Sequence, residues 1–269
     1  IQAFGEAVPE TSHVMQRQVQ ETQALEHIRG ANILLVEDNE INQQVAREIL
    51  EGAGLKITLV NDGQEAVNAV KEIEYDAVLM DIQMPVMDGY TATREIRNLK
   101  PEIRNVPIIA MTAHAMTGDE DKSLQAGMNG HVVKPIDPDQ LFSTLQKWIQ
   151  PSENRAPIQK PVVSVEPSNE DKVDTIEEEL PESLPGFDLS AGLERLRGNK
   201  RLYKKLLLDF GANYTQVASE IRETLDVKDL KHAHSLIHNL KGLAGNLAAT
   251  ELQAAAVEME KLVKGEQNK

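Results

Sequence analysis

The chain has 269 residues, a formal net charge of −15, no cysteine and 3% aromatic residues. That charge repels phosphate backbones, which argues against nucleic acid as a direct partner; without cysteine there are no disulfides, zinc–thiolate sites or thiol nucleophiles, and a reducing compartment suits the chain. No apolar run approaches the ~20 residues that span a bilayer and no signal peptide is visible, so this stretch is expected to be cytoplasmic and to make no membrane contact itself.

Residues 1–30 are polar and Gln/Glu-rich, with a short helix allowed around Val14–Ile28. They read as a linker or the end of an upstream region, and a first residue Ile1 instead of Met reads as a piece of a longer protein. From Asn32 to Gln150 two patterns alternate. Short apolar, β-branched runs at Asn32–Glu37, Lys56–Val60, Asp76–Met80, Pro107–Met111 and Gly130–Lys134 predict strands. Between them, Ile41, Val45, Ile49 and Leu50, then Ala66, Val67 and Val70, then Tyr90–Leu99, Asp119–Ala126 and Asp139–Ile149 follow the helical period. Five strands with alternating helices imply right-handed crossovers and a parallel sheet covered on both faces. Pro151–Gly186 holds six of the twelve prolines and nine acidic against three basic residues, the composition of an extended acidic linker.

From Phe187 onward the pattern is helical without strands. Leu189, Leu193 and Leu196 begin a short helix that Gly198 stops, and Leu202, Leu206, Leu207, Phe210, Val217, Ile221 and Leu225 predict one long amphipathic helix. Leu230, Ala233, Ile237, Leu240, Ala244 and Leu247 recur at spacings of three and four, as a bundle seam does, and Thr250–Val263 is the last helix. The expected division is thus 1–30, an α/β doubly wound domain over 31–150, a linker over 151–186 and an all-α helical bundle over 187–269.

Each predicted strand end but the second carries a polar group: Glu37-Asp38 after strand one, Asp81 after strand three, Thr112 after strand four and Lys134 in strand five. In a parallel sheet these ends share one edge, where open α/β folds place their chemistry. Converging carboxylates repel unless a hard cation such as Mg2+ joins them. Lys134 adds a positive charge and Thr112 a hydroxyl, so a phosphoryl group on Asp81 would have its charge met on several sides. Taken singly, each residue reads as a turn, a cap or surface; the conjunction is what points to phosphoryl chemistry.

The stretches Leu35–Asn39, Leu79–Gly89, Met111–His114 and Val133–Pro135 resemble the receiver domain of two-component response regulators, in the variant found in hybrid sensor histidine kinases. The resemblance implies a flavodoxin-like fold, Asp81 as phosphoacceptor, and Glu37, Asp38, Asp81 and the Gln83 carbonyl as Mg2+ ligands. It also implies Thr112 as switch hydroxyl, Lys134 as phosphoryl contact, and Gln83 and His114 as residues that tune hydrolysis. Where the family often has Tyr or Phe, three before the lysine, this chain has His131.

In the helical half, His234, His238, Lys241, Gly242 and Gly245 fall on one helical stripe beside the apolar seam, which predicts a half-exposed His238. The two glycines cost helix stability, up to about 1 kcal/mol each, and would leave a depression through which another protein reaches the imidazole. An HxxxH metal site at His234 and His238 is the competing reading, but no third ligand falls beside them apart from His232 on another face. The run His238–Asn246 resembles the histidine phosphotransfer (HPt) domain, with His238 as phosphohistidine and Lys241 as its charge partner. That family closes its bundle with one more helix after Val263, so a C-terminally truncated domain is expected.

Together the two resemblances imply a phosphorelay intermediate: a receiver charged by the phosphoacceptor domain of an upstream histidine kinase, a phosphotransfer domain, and a separate downstream response regulator receiver. The parent protein would then be anchored in a bacterial inner membrane. No Asn-box NxxxNA and no DxGxG occur, so ATP chemistry is not expected in this chain. The alternative is a receiver that only switches a docking surface, without onward transfer.

Overall fold

A computed structural model describes residues 26–112, 117–150 and 180–267. Residues 151–179 of the linker expected over 151–186, and most of the expected N-terminal helix, lie outside the described residues, as does His114. The first half alternates β1 (Asn32–Val36), α1 (Glu40–Gly52), β2 (Lys56–Val60), α2 (Gly63–Glu72), β3 (Ala77–Asp81) and α3 (Gly89–Arg97). A single turn α4 (Pro101–Arg104) follows, then β4 (Ile108–Thr112), α5 (Thr117–Ala126), β5 (Gly130–Val133) and α6 (Pro138–Trp148). The five strands are all parallel, in the order β2-β1-β3-β4-β5. This is the doubly wound sheet that the alternation predicts.

Strand alternation builds two separate cores. Ile33 and Leu35 of β1 face one side and pack with Ile41, Val45 and Ile49 of α1 and with Leu141 and Leu145 of α6. Leu34 and Val36 face the other side, against Val67 and Val70 of α2 and Ala92 and Ile96 of α3. A strand buried on both faces has no polar alternation, which is why NILLV and AVLM read as continuous apolar runs. Side-chain caps set the helix starts: Asn39 accepts from the amides of Ile41 and Asn42, Asp62 from Glu65, Asp88 from Thr91 and Asp137 from Gln140.

The second half comprises α7 (Leu189–Arg195), α8 (Lys200–Asn213), α9 (Val217–Asp226), α10 (Leu230–Asn246) and α11 (Thr250–Gln267). The expected long helix is broken into α8 and α9. The break falls at Tyr214–Gln216, after Asn213, where no side chain caps the new start. Tyr214 leaves the helix to stack on Phe210, with ring centroids 5.4 Å apart, and its hydroxyl accepts from Asn39 of the receiver half. A tertiary contact therefore overrides the helical period.

The two halves are docked. Leu196, Tyr203, Leu206, Leu243 and Leu247 join the core that α1 and α6 form on the sheet. Ile221, Ile237, Leu240, Ala256 and Val263 make the bundle's own core. From Ile237 to Asn246 only Asn239 of α10 escapes full burial, because the helix is enclosed by bundle on one side and by α1 and the β5–α6 turn on the other.

Candidate functional site

The sheet topology carries Glu37, Asp81 and Lys134 to one edge. Lys134, 6% exposed, follows β5 and donates to both carboxylates, at 2.6 Å to Asp81 Oδ2 and 2.6 Å to Glu37 Oε2. Burial alone would lower the Lys134 pKa, but Asp81 and Glu37 hold it above the ordinary lysine range. Glu37 is pushed up to about 7, first by burial and then by Asp81, with Lys134 opposing. Asp38 is pushed up to about 6, again by burial and by Asp81. Carboxyl oxygens of Glu37, Asp38 and Asp81 all lie within 4.8 Å of one another. One lysine is thus too little positive charge for three carboxylates. Asp38 Oδ1 is buried without a hydrogen-bond partner. Both features fit a hard divalent cation among these oxygens.

Thr112 ends β4 opposite Val133, and its carbonyl accepts from the Lys134 amide at 2.6 Å. The Gln83 amide faces Asp81 Oδ1 at 3.3 Å, and the Gln83 side-chain oxygen is buried without a partner. His131 is half-buried on β5 and lies 3.8 Å from Glu120 of α5.

The helical histidine lies in the same cleft. His238 is 7% exposed, so the expectation of a half-exposed ring is corrected. The stripe does lie beside the bundle seam, as the spacing requires, but the receiver half covers it. A Cβ added at Gly242 would stand 3.7 Å from Lys134 Cδ, and one at Gly245 would stand 3.1 Å from Pro135 Cδ. Lys134, which grips Asp81, therefore also packs one helical turn from His238. The charge on Asp81 is felt at the ring.

Three residues here escaped the sequence reading. Glu260 of α11 is fully buried. One of its oxygens lies 3.1 Å from His238 Nδ1 and 3.3 Å from His234 Nε2, and the other accepts from Lys241 at 2.6 Å. A carboxylate held by an ammonium can only accept, so Nδ1 is the ring nitrogen that donates to Glu260. Burial lowers the His238 pKa, while the bond to Glu260 and the charge of Asp81 oppose the fall. Lys241 thus reaches the site through Glu260.

The other two are Asn42 and Asn246, both buried. Asn42 donates to Glu37 Oε1 at 2.8 Å and accepts from Asn246 Nδ2 at 2.9 Å, and Asn246 Oδ1 faces the Ile136 amide at 3.3 Å. A chain of amides therefore runs from the acidic pocket to the histidine helix. The signal for both was a polar residue on an otherwise apolar stripe.

Residues 33–146 match the response regulator receiver domain family and residues 205–269 the Hpt domain family. The sensor histidine kinase GacS of Pseudomonas protegens is 31% identical over 244 residues, covering 90% of this chain and 25% of that protein. The signal transduction histidine-protein kinase BarA of Escherichia coli K12 is 32% identical over 216 residues, covering 79% of this chain and 22% of that one. The chain thus spans about a quarter of the length of these curated relatives. Among solved structures, the receiver domain of sensor histidine kinase PA1611 from Pseudomonas aeruginosa, with a magnesium ion coordinated in its active-site cleft, is 50% identical. It covers 44% of this chain and 97% of that one at a TM-score of 0.42.

Proposed function

We propose that this chain, which carries the receiver and Hpt domains of two-component phosphorelay signalling, passes a phosphoryl group between Asp81 and His238. The observation that carries the reading is Lys134, bound to Asp81 at 2.6 Å and packed beside Gly242, one turn from His238. In the forward step an oxygen–phosphorus bond at Asp81 breaks as a nitrogen–phosphorus bond forms at His238 Nε2. Glu260 accepts from Nδ1–H, orienting the ring and stabilising the positive charge that develops on it. Lys134 stays on the Asp81 oxygen as its negative charge returns. The transition state is loose, so positioning and charge neutralisation carry the catalysis.

Glu37, Asp38 and Asp81, with the Gln83 carbonyl, would hold Mg2+. The ion, when bound, neutralises phosphoryl oxygens and relieves the crowded carboxylates. Burial of Asp81, Lys134, His238 and Lys241 removes competing water and strengthens every charge interaction. Upstream, the donor would be a kinase phosphohistidine; downstream, the acceptor would be the aspartate of a separate receiver.

The test uses a small acyl phosphate with Mg2+. Label should appear on Asp81 and then on His238, and Asp81→Asn or chelation of Mg2+ should abolish both. His238→Gln should keep the Asp81 label and stop all onward transfer. Label persisting in Asp81→Asn, or relay from His238→Gln, would refute the assignment.

A further inference from the structure

We infer that the segment from Leu193 to Lys205, which lies between the two family matches up to its last residue, is a docking clasp by which this bundle recognises the receiver of its own chain. This deepens the relay reading and rests on it. Three side chains of the segment meet one stripe of α1. Arg197 Nη1 donates to the Gly52 carbonyl at 2.9 Å, Asn199 Nδ2 to Glu48 Oε1 at 2.8 Å, and Lys205 Nζ to Gln44 Oε1 at 3.1 Å. Gln44, Glu48 and Gly52 are four residues apart, so the contacts climb one face of the helix turn by turn. Arg197 also lies over the Phe142 ring of α6, 5.8 Å from its centroid. Leu196, 1% exposed, joins the receiver's core beside it.

Arg197 is set apart by what its side chain touches, not by its backbone. The end of α7 is a Schellman stop: the Gly198 amide bonds the Leu193 carbonyl at 2.8 Å and the Arg197 amide the Glu194 carbonyl at 2.9 Å. The residue at the left-handed position of such a stop is usually glycine. Here Arg197 occupies it at φ 52°, with Gly198 following at φ 80°. Lys228 and Ala248 hold the same position at the ends of α9 and α10, at φ 59° and 55°, so the strain alone marks no use; Arg197 differs in that its side chain meets the receiver. The partners of Arg197, Asn199 and Lys205 named above are residues of α1 and α6 and not Asp81, His238 or Glu260. The effect of the clasp should therefore fall on docking and leave the chemistry alone.

The experiment exploits the absence of cysteine. Single cysteines at exposed Glu72 of α2 and Lys261 of α11 would carry spin labels in the full chain, and the docked fraction would be read from their distance across a urea series below unfolding. Arg197→Gly should lower the docking constant roughly five- to thirtyfold, as expected for one charged hydrogen bond with a cation–π contact. The bundle's unfolding midpoint should stay or rise, since a strained position is relieved. Asn199→Ser keeps a capping oxygen for α8 but cannot reach Glu48, and should lower docking more mildly. An unchanged docking constant in Arg197→Gly would overturn the clasp. So would docking and bundle stability falling together, which would make Arg197 structural. Label transfer from Asp81 to His238 in the unsubstituted chain is measured alongside: its failure would count against the relay, whereas the distance data judge the clasp alone.

Discussion

Gly242 and Gly245 are one turn apart on the histidine helix, and alanine should slow transfer at Gly245 but not at Gly242. In isolation each Gly→Ala change favours the helix by about 0.5–1 kcal/mol. At Gly242 the new methyl would stand 3.7 Å from Lys134 Cδ and 3.9 Å from Asn42 Nδ2, ordinary van der Waals contact. At Gly245 it would stand 3.1 Å from Pro135 Cδ, a ring carbon with little freedom to yield, and 2.6 Å from the Gln253 amide, which must swing aside. Overpacking of this kind costs about 1–3 kcal/mol, and the part borne by Pro135 is felt only when the receiver is docked. Gly242→Ala should therefore stabilise the bundle and leave Asp81-to-His238 transfer within about twofold. Gly245→Ala should slow transfer about five- to thirtyfold, taking about 1–2 kcal/mol of the overpacking as lost docking, and Gly245→Glu should stop it. Rapid-quench transfer kinetics and urea unfolding of the same variants give the two readouts. Equal slowing in both alanine variants, or slowing in neither, would mean that transfer does not use this docked geometry.

Glu260→Ala would leave the Lys241 ammonium buried without its carboxylate and should destabilise the bundle by about 3–5 kcal/mol in urea unfolding. Glu260→Gln keeps the shape, and should retain folding by circular dichroism while slowing phosphoryl transfer to His238. Val86 is 84% exposed at φ 65°, the centre of a tight turn closed by the Met87 amide on the Pro85 carbonyl at 2.7 Å; Val86→Asn should raise the receiver's unfolding free energy by about 1 kcal/mol. Burial lowers the His238 pKa in the docked chain, so at this ring the docked form binds fewer protons than the open one. The His238 contribution to docking should be fully present above the ordinary histidine range near 6.5 and be lost as pH falls through it; it is read from label distances as the difference between the pH profiles of the unsubstituted chain and His238→Gln, which share the opposing titration of the raised Glu37 and Asp38.

The receiver half was legible because its central strands β1, β3 and β4 are buried on both faces and its site residues sit at strand ends. A run such as Asp76–Met80 followed by Asp81 announces both the strand and the edge it points to. What stayed hidden depends on contacts across the sequence. Glu260 lies 22 residues from His238 on another helix, where it looks like one more acid on an amphipathic surface. The split of α8 from α9 is fixed by Tyr214 reaching Asn39, 175 residues away. The burial of His238 required knowing that the receiver, placed far upstream in sequence, would cover the stripe that the bundle leaves open. Periodicity placed His238 beside the bundle seam but could not show what would lie against it.

In the proposed relay, docking would serve the internal step and obstruct the steps before and after it. With the bundle in place, Asp81 and His238 are both buried, so in the proposed relay an outside phosphohistidine or aspartate could not reach them while the halves are docked. A relay through this pair therefore needs the same interface to close for the internal step and to open before and after it. The contacts suit that requirement. The apolar part is shared with the receiver's own α1–α6 core, which supplies attraction without fine orientation. Orientation comes from hydrogen bonds at Asn246, Tyr214, Asn199, Arg197 and Lys205, each worth about 0.5–1.5 kcal/mol when neutral and somewhat more when charged. A tethered partner held by a few such bonds can be both mostly docked and quickly released. An interface made tighter at these positions should slow the relay at its exits even as it speeds exchange between Asp81 and His238.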